Sequence, residues 1–111
     1  MEWRNLSQIE QLNDVVAESE TRPVLLFKHS TRCSISDVAW KRVKDANLPP
    51  KASYYYLDLL SHRDISNKIA ELFSVHHESP QVLLIRSKDC VYTESHLGIT
   101  ADEITEQVNS H

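Results

Sequence analysis

Glycine is almost missing from this chain, which has only Gly98 among its 111 residues. Phosphate-binding loops and dinucleotide-binding fingerprints both need several glycines at fixed offsets, so neither kind of nucleotide site is expected. The sequence also has no run of about 18 apolar residues, the length that a membrane-spanning helix needs. It contains no internal repeat and no linker rich in glycine and proline, and we therefore predict one domain over residues 1–111.

Cysteine is scarce as well, with only Cys33 and Cys90 and no Cys-x-x-Cys pair. Two isolated cysteines supply neither a disulfide framework nor a thiolate-rich zinc site. The formal net charge is −4 and no basic cluster is present, so there is no electrostatic footprint for nucleic acid. The first residues lack the apolar core of a secretion signal. These features predict a cytoplasmic protein that binds neither nucleic acid nor a membrane.

The most informative stretch is residues 24–36, which reads VLLFKHSTRCSIS. Its continuous apolar run predicts a strand that is covered on both faces. A short turn follows, and a helix is predicted over residues 34–46, with an inward face formed by Ile35, Val38, Ala39, Val43 and Ala46. Cys33 therefore falls at a helix N-terminus, where free N–H groups and the helix dipole favour the reactive thiolate. The alternative is that Cys33 is a small buried apolar side chain, as most free cysteines are.

Periodicity and turn signals predict three other helices and three other strands. The first helix covers residues 7–19 and the last begins at Thr100, because Ser7 with Glu10 and Thr100 with Glu103 fit capping boxes. In the last helix, Ile104 and Val108 are predicted to face inward. A third helix is predicted over residues 62–74, with Ser61 as its N-cap. The remaining strands are expected at residues 53–59, 81–85 and 90–97.

The connections between these strands define a mixed sheet in an α/β protein. The first two strands are joined through a helix and should be parallel, whereas the last two are joined by a tight turn and should form a hairpin. The two continuously apolar strands should be central. The predicted sheet thus has four strands in the order 2-1-3-4, with helices on both faces and one helix at the N-terminus.

This topology, with a cysteine just after the first strand and a proline opening the third, resembles the thioredoxin fold. The segment HSTRCSIS before a helix and the later segment SPQVLLI resemble the YtxJ-type monothiol bacilliredoxins. The usual motif of that family reads Thr-Cys-Pro-Ile-Ser after a strand ending in Lys-His-Ser. Cys33, Ile35 and Ser36 match it, whereas Arg32 replaces a common threonine and Ser34 a common proline.

The resemblance implies a thiol–disulfide oxidoreductase in which Cys33 removes bacillithiol from S-bacillithiolated proteins through a mixed disulfide. Bacillithiol would be a thiol co-substrate, and no tightly bound cofactor is implied. The partners would be S-thiolated client proteins and a low-molecular-weight thiol, and the protein would be a monomer. Two alternatives remain: a monothiol protein that binds an iron–sulfur cluster, and a redox-silent binding module with the same fold.

Other residues are predicted to support Cys33. Ser36 stands where dithiol enzymes carry a resolving cysteine, so no internal disulfide can form there; alternatively, it only forms hydrogen bonds in the first helical turn. Arg32 and His29 are candidate supporting residues. The resemblance implies a cis bond between Ser79 and Pro80, with Ser79, Pro80 and Thr31 contacting the substrate. A trans proline that opens a strand is the alternative.

Cys90 is not expected to resolve a disulfide at Cys33. It follows the third strand, which carries it roughly 20 Å from Pro80, and a disulfide needs Cα atoms within about 7 Å. The six histidines show neither His-x-His nor His-x-x-x-His spacing, so no metal site is predicted: His29, His62, His76, His77, His96 and His111. Trp40 is expected to be partly buried against a loop, with client docking as the alternative.

Overall fold

The computed structural model of the chain describes residues 2–111. This part of the chain contains five strands and four α-helices, which alternate up to the fourth strand; the fifth strand follows the fourth directly, and one short 3-10 helix, His96–Gly98, precedes the last α-helix. Their bounds are β1 Trp3–Asn5, α1 Gln11–Glu18, β2 Val24–His29, α2 Ser34–Val43, β3 Ser53–Asp58, α3 Arg63–Phe73, β4 Gln81–Arg86, β5 Asp89–Ser95 and α4 Ala101–Ser110.

The strands form one mixed sheet in the order β1-β3-β2-β4-β5. β1 and β2 both pair with β3 in parallel, β4 is antiparallel to β2, and β5 is antiparallel to β4. The prediction of a four-stranded sheet is wrong because β1 adds a fifth strand beside β3; the other four keep their predicted relative order. Three residues are too few to show an alternating pattern, so the sequence gives no strand signal there.

The chain opens on strand β1 rather than on the predicted N-terminal helix, and α1 begins at Gln11 instead of residue 7. The capping box predicted for Ser7 and Glu10 does not form, because Glu10 is the N-cap and its side chain makes no capping hydrogen bond. Instead, the side-chain oxygen of Gln11 accepts hydrogen bonds from the N–H groups of Ser7, at 2.8 Å, and Gln8, at 2.9 Å. This turn carries the chain from β1 into α1.

Two hydrophobic cores lie on the two faces of the sheet. Alternate residues of β2 point to opposite faces: Val24 and Leu26 pack with α1 and α3, whereas Leu25 and Phe27 pack with α2 and α4. Each fully buried apolar side chain of this size contributes roughly 1.5–3 kcal/mol. The predicted inward residues of α4, Ile104 and Val108, are both buried, and the Thr100 hydroxyl caps this helix as predicted.

The buried face of α2 differs from the predicted one. Ile35 and Val38 were expected to face inward, but they are 44% and 45% exposed. The inward face consists of Ser36, Ala39 and Val43. The hydrogen bonds of the Ser36 hydroxyl allow a polar residue to be buried in a position that hydropathy alone would not give it.

Trp40 is half-buried beside strands rather than against the predicted loop. Its ring centroid lies 5.0 Å from Trp3, 5.1 Å from Phe27 and 4.6 Å from Tyr56. Trp3 itself stands in β1, so the strand that sequence analysis missed supplies part of this aromatic cluster. In residues 2–111, no helix is both long enough and apolar enough to cross a membrane.

Candidate active site

The predicted site residues meet at one edge of the sheet. His29 ends β2 and pairs in register with Asp58 of β3. On the other side of β2, Lys28 pairs with Gln81, so Pro80 immediately precedes the strand that runs beside it. The turn after His29 then leads to Cys33 and α2. This edge therefore brings the thiol, the end of a central strand and the proline together.

Cys33 is the N-cap residue of α2 and has an extended backbone, with φ −108° and ψ 122°. Its N–H donates to the carbonyl of Ser30 at 3.1 Å, and its own carbonyl accepts from the N–H of Asp37 at 3.0 Å. The side chain is partly exposed, and the thiol is free. The sulfur thus stands at the positive end of the helix dipole while remaining accessible to a second sulfur.

Ser36 fastens the first turn of α2 to the end of β2. It is fully buried, and its Oγ accepts a hydrogen bond from the N–H of Ser30 at 2.9 Å. The same Oγ lies 2.8 Å from Nδ1 of His29. These two contacts occupy the hydroxyl, so Ser36 orients the turn that carries Cys33 through its neighbours.

His29 is a buried base whose charge is suppressed. Its ring packs 6.1 Å from Trp40 and 5.7 Å from Tyr56, centroid to centroid. Burial lowers the pKa of His29 below its usual 6.5, although the carboxylates of Asp37 and Asp58 act in the opposite direction. A neutral imidazole near pH 7 is a hydrogen-bond partner for Ser36 rather than a cation that would stabilise the thiolate.

Arg32 and Thr31 lie on the exposed turn before Cys33. Within residues 2–111, Arg32 makes no ion pair with a carboxylate, so its guanidinium faces solvent. Beside a neutral His29, this side chain supplies the positive charge nearest to Cys33 along the chain. It is therefore available to an anionic group that approaches the thiol.

The Ser79–Pro80 peptide bond is cis, as the family resemblance implies. The side chain of Gln81 supports the preceding loop by donating to the carbonyl of His76 at 3.0 Å and accepting from the N–H of Glu78 at 3.3 Å. The Ser79 hydroxyl is buried without a hydrogen-bond partner in the described part of the chain. A buried hydroxyl left in this state costs about 1–3 kcal/mol.

Lys28 is a buried base that sequence analysis missed. Its side chain is fully buried, and Nζ donates only to the carbonyl of Ser66, at 3.4 Å. Burial lowers the pKa of Lys28 to about 8. Its burial could have been predicted from its position. A lysine that directly extends a continuous apolar run lies in a central strand that is covered on both faces.

Cys90 lies at the opposite end of the sheet, as predicted. It pairs with Ile85, which in turn pairs with Val24 at the start of β2. The five residue steps from Val24 to His29 span roughly 17 Å, well beyond disulfide reach. Burial raises the pKa of Cys90, and its thiol donates to the carbonyl of Tyr92 at 3.3 Å. Over residues 2–111, no three histidine, cysteine, aspartate or glutamate side chains are grouped as metal ligands would be.

Comparisons with known proteins agree with this geometry. A family model described as "Monothiol bacilliredoxin BrxC" matches residues 4–104. A solved structure described as a candidate oxidoreductase with a thioredoxin fold is 30% identical, with a TM-score of 0.82; the match covers 96% of this chain and 93% of that one.

Two thioredoxins show the same fold at lower identity. The protein from Fasciola hepatica is 17% identical with a TM-score of 0.75, and the match covers 97% of this chain and 98% of that one. The protein from Trypanosoma brucei brucei is 13% identical with a TM-score of 0.77, and the match covers 98% and 89%. At these identities the likeness shows the fold alone.

The family match spans both the Cys33 turn and the cis proline, the two features that meet at the edge of the sheet. With one thiol at that edge and the second at the far end, the site has the composition that a monothiol oxidoreductase requires. The chain is a thioredoxin-fold thiol oxidoreductase and belongs to the monothiol bacilliredoxin family.

Proposed function

We propose that this protein removes bacillithiol from S-bacillithiolated proteins through a mixed disulfide at Cys33. The observation that carries the proposal is the isolation of the Cys33 thiol. Cys33 is partly exposed at a helix N-terminus, Ser36 occupies the neighbouring resolving position, and Cys90 is at the other end of the sheet. A sulfur that attacks a disulfide here must find its next partner outside the chain.

The first step is a thiol–disulfide exchange. The Cys33 thiolate attacks the bacillithiol sulfur of the client's mixed disulfide, a new sulfur–sulfur bond forms, and the client cysteine leaves as a thiolate. In the second step, the thiolate of free bacillithiol attacks the bacillithiol sulfur bound to Cys33. Bacillithiol disulfide forms, and the Cys33 thiolate is released, so electrons balance over the two steps without a resident cofactor.

The surroundings of Cys33 support both steps. Cys33 lies at the N-terminus of α2, the end of the helix dipole that favours negative charge. The bond between Ser36 and His29 holds the turn in place, which limits the conformational entropy lost in the attack. Ser79 and Pro80 supply a backbone edge for an extended client segment. Arg32 is available to the carboxylates of the bacillithiol malate group, and Thr31 flanks it on the same exposed turn.

Intact-mass spectrometry after exposure to bacillithiol disulfide tests the proposal. We expect the wild-type protein to gain one bacillithiol, Cys33→Ser to gain none, and Cys90→Ser to react at the wild-type rate. Cys90→Ser is the matched control because it removes the other thiol while leaving the Cys33 edge intact. An adduct that persists in Cys33→Ser, or a wild-type protein that stays unmodified, would contradict the proposal.

A second assay follows the client. A model protein carrying one S-bacillithiolated cysteine should lose its modification when wild-type protein and reduced bacillithiol are both present. Cys33→Ser should leave the client modified. If the client is released equally fast by reduced bacillithiol alone, the protein does not catalyse this exchange.

A further inference from the structure

A cavity of about 260 Å³, with both polar and apolar groups in its lining, opens at the same edge of the sheet as Cys33. It lies where β1 and β3 end and α3 begins. Its lining comprises Asn5, Leu6, Ser7, Tyr56, Asp58 and His62. None of these residues has a role in the exchange chemistry described above, so the function of the cavity is open.

The sheet register places this cavity beside the strand that leads to Cys33. Asp58 pairs with His29, and neighbouring strands lie about 4.8 Å apart. The carbonyl of His29 accepts a hydrogen bond from the N–H of Leu59 at 3.0 Å, which fixes the cavity wall to the end of β2. Pro80 adjoins β2 from the other side. The reactive thiol therefore has a client-binding backbone on one flank and this cavity on the other.

The lining offers one carboxylate and several neutral hydrogen-bonding groups. The Asp58 carboxylate accepts from the N–H of Leu60 at 3.2 Å and from the Ser61 hydroxyl at 2.9 Å. A carboxylate has about four acceptor sites, so about two stay available to a ligand. Burial raises the pKa of Tyr56, which keeps its hydroxyl protonated as a donor. With no lysine or arginine in the lining, the cavity suits hydroxyl and amino groups better than a carboxylate or phosphate.

The size of the cavity also limits which ligands can fit. Pockets that enclose a whole drug-sized ligand measure about 300–1,000 Å³, so this one has room for a single ring with its substituents. We propose that the cavity binds a hydroxyl-rich, sugar-type ring attached to the small thiol whose sulfur pairs with Cys33. The inference rests on the proposed exchange at Cys33 and adds the part of the small thiol that the protein recognises.

The consequence is selectivity among disulfides. The Cys33 thiolate attacks one sulfur of a symmetrical disulfide, one half joins Cys33, and the other half leaves as a thiolate. A disulfide whose halves carry a sugar ring gains the cavity contacts, whereas cystine, which has no ring, does not. Losing one or two of these hydrogen bonds corresponds to a rate loss of about tenfold.

Two matched variants test this selectivity. Ser7→Phe places an aromatic ring in the mouth of the cavity, and Gln8→Phe places the same ring one residue later, outside the lining. Both residues are exposed, and both donate their main-chain N–H to the Gln11 side chain, a bond that a side-chain substitution leaves available. The rates of Cys33 adduct formation are measured by intact mass with bacillithiol disulfide and with cystine.

We expect Ser7→Phe to react about tenfold more slowly with bacillithiol disulfide and within about twofold of wild type with cystine. Gln8→Phe should match wild type with both reagents. Asp58→Asn, which removes the acceptor charge but keeps the shape, should show the same selective loss to a smaller extent. Equal rates for Ser7→Phe and wild type, or equal slowing with both disulfides, would overturn the cavity assignment alone. A wild-type protein that reacts with cystine but not with bacillithiol disulfide would overturn the proposed function, and the cavity assignment with it.

Discussion

Lys28 and His29 are consecutive bases at the end of β2, and both are buried. Strand alternation sends them to opposite faces of the sheet. His29 packs against aromatic rings and bonds to Ser36 of α2, whereas Lys28 reaches only a main-chain carbonyl of Ser66 in α3. Burial lowers the pKa of each. His29 is thus connected to the turn that carries Cys33. Lys28 occupies the core, where a single hydrogen bond offsets little of the cost of removing its amine from water.

This difference between His29 and Lys28 shows that buried polar groups have different effects on the two faces of the sheet. On the α2 face, a buried polar group is used to position the reactive turn through the bond between Ser36 and His29. On the α3 face, Lys28 imposes a cost that grows when its amine is charged. Burying Lys28 lowers the stability of the whole fold. The bond between Ser36 and His29 acts locally, on the turn that carries Cys33. Four substitutions separate these two effects.

The largest effect is expected for Lys28→Met, which keeps an unbranched side chain, one heavy atom shorter, and removes its charge. The pKa of Lys28 is about 8 in the folded protein against 10.5 in the unfolded chain, a gap worth about 3 kcal/mol of destabilisation at pH 7. The unfolded state binds more protons between these values, so wild-type stability should rise from pH 8 to pH 10.5. Urea unfolding should therefore show a more stable variant at pH 7 and a smaller advantage near pH 10. Equal stability of the wild-type protein and Lys28→Met at pH 7 would refute the prediction that the buried amine of Lys28 destabilises the fold.

Ser36→Ala should have the next largest effect and the opposite sign. It leaves the N–H of Ser30 and Nδ1 of His29 without their shared partner, a loss of about 1–3 kcal/mol. Because the same contacts hold the Cys33 turn, we also expect slower adduct formation with bacillithiol disulfide. Thermal unfolding gives the stability and intact mass the rate. A normal rate in a destabilised variant would show that Ser36 supports only the fold.

His29→Gln should change the pH dependence of stability more than its value at pH 7. The pKa of the folded histidine is lowered, so unfolding takes up a proton as the pH falls below 6.5. Wild-type stability should therefore decline on acidification in this window, and the variant should lack that part of the decline. Glutamine keeps a hydrogen-bonding group near Ser36. Parallel unfolding curves for both proteins between pH 7 and pH 5 would argue against the assignment.

Ser66→Ala should have the smallest effect and serves as the control for Ser36→Ala. Both serines are buried near the start of a helix, but Ser66 reaches Lys28 through its main-chain carbonyl, which the substitution keeps. Its hydroxyl has only a 3.4 Å contact with His77. The change in unfolding free energy should stay within about 0.5 kcal/mol. A loss as large as that of Ser36→Ala would remove the contrast between the two faces.

Local patterns were sufficient for much of the fold and for the thiol. The capping pair of Thr100 and Glu103 and the inward residues Ile104 and Val108 depend on spacing within one helix, and the structure contains the Thr100 cap and both buried residues. The same reasoning places Cys33 between an apolar strand and a helix, which is where it lies. The far position of Cys90 follows from the length of one strand and a hairpin. Such features need only neighbouring residues, so sequence spacing determines them.

Long-range contacts decided the rest. Strand β1 exists because β3 offers an edge with which Trp3–Asn5 can pair, and no three-residue pattern predicts that. Ile35 and Val38 are exposed because Ser36 takes the inward position with His29 as its partner. Lys28 is buried because both faces of β2 are covered. The cavity beside Cys33 combines residues from β1, β3 and the start of α3, which only the folded chain brings together. Sequence alone placed the thiol, whereas the tertiary structure decided which groups surround it, because those groups come from segments far apart along the chain.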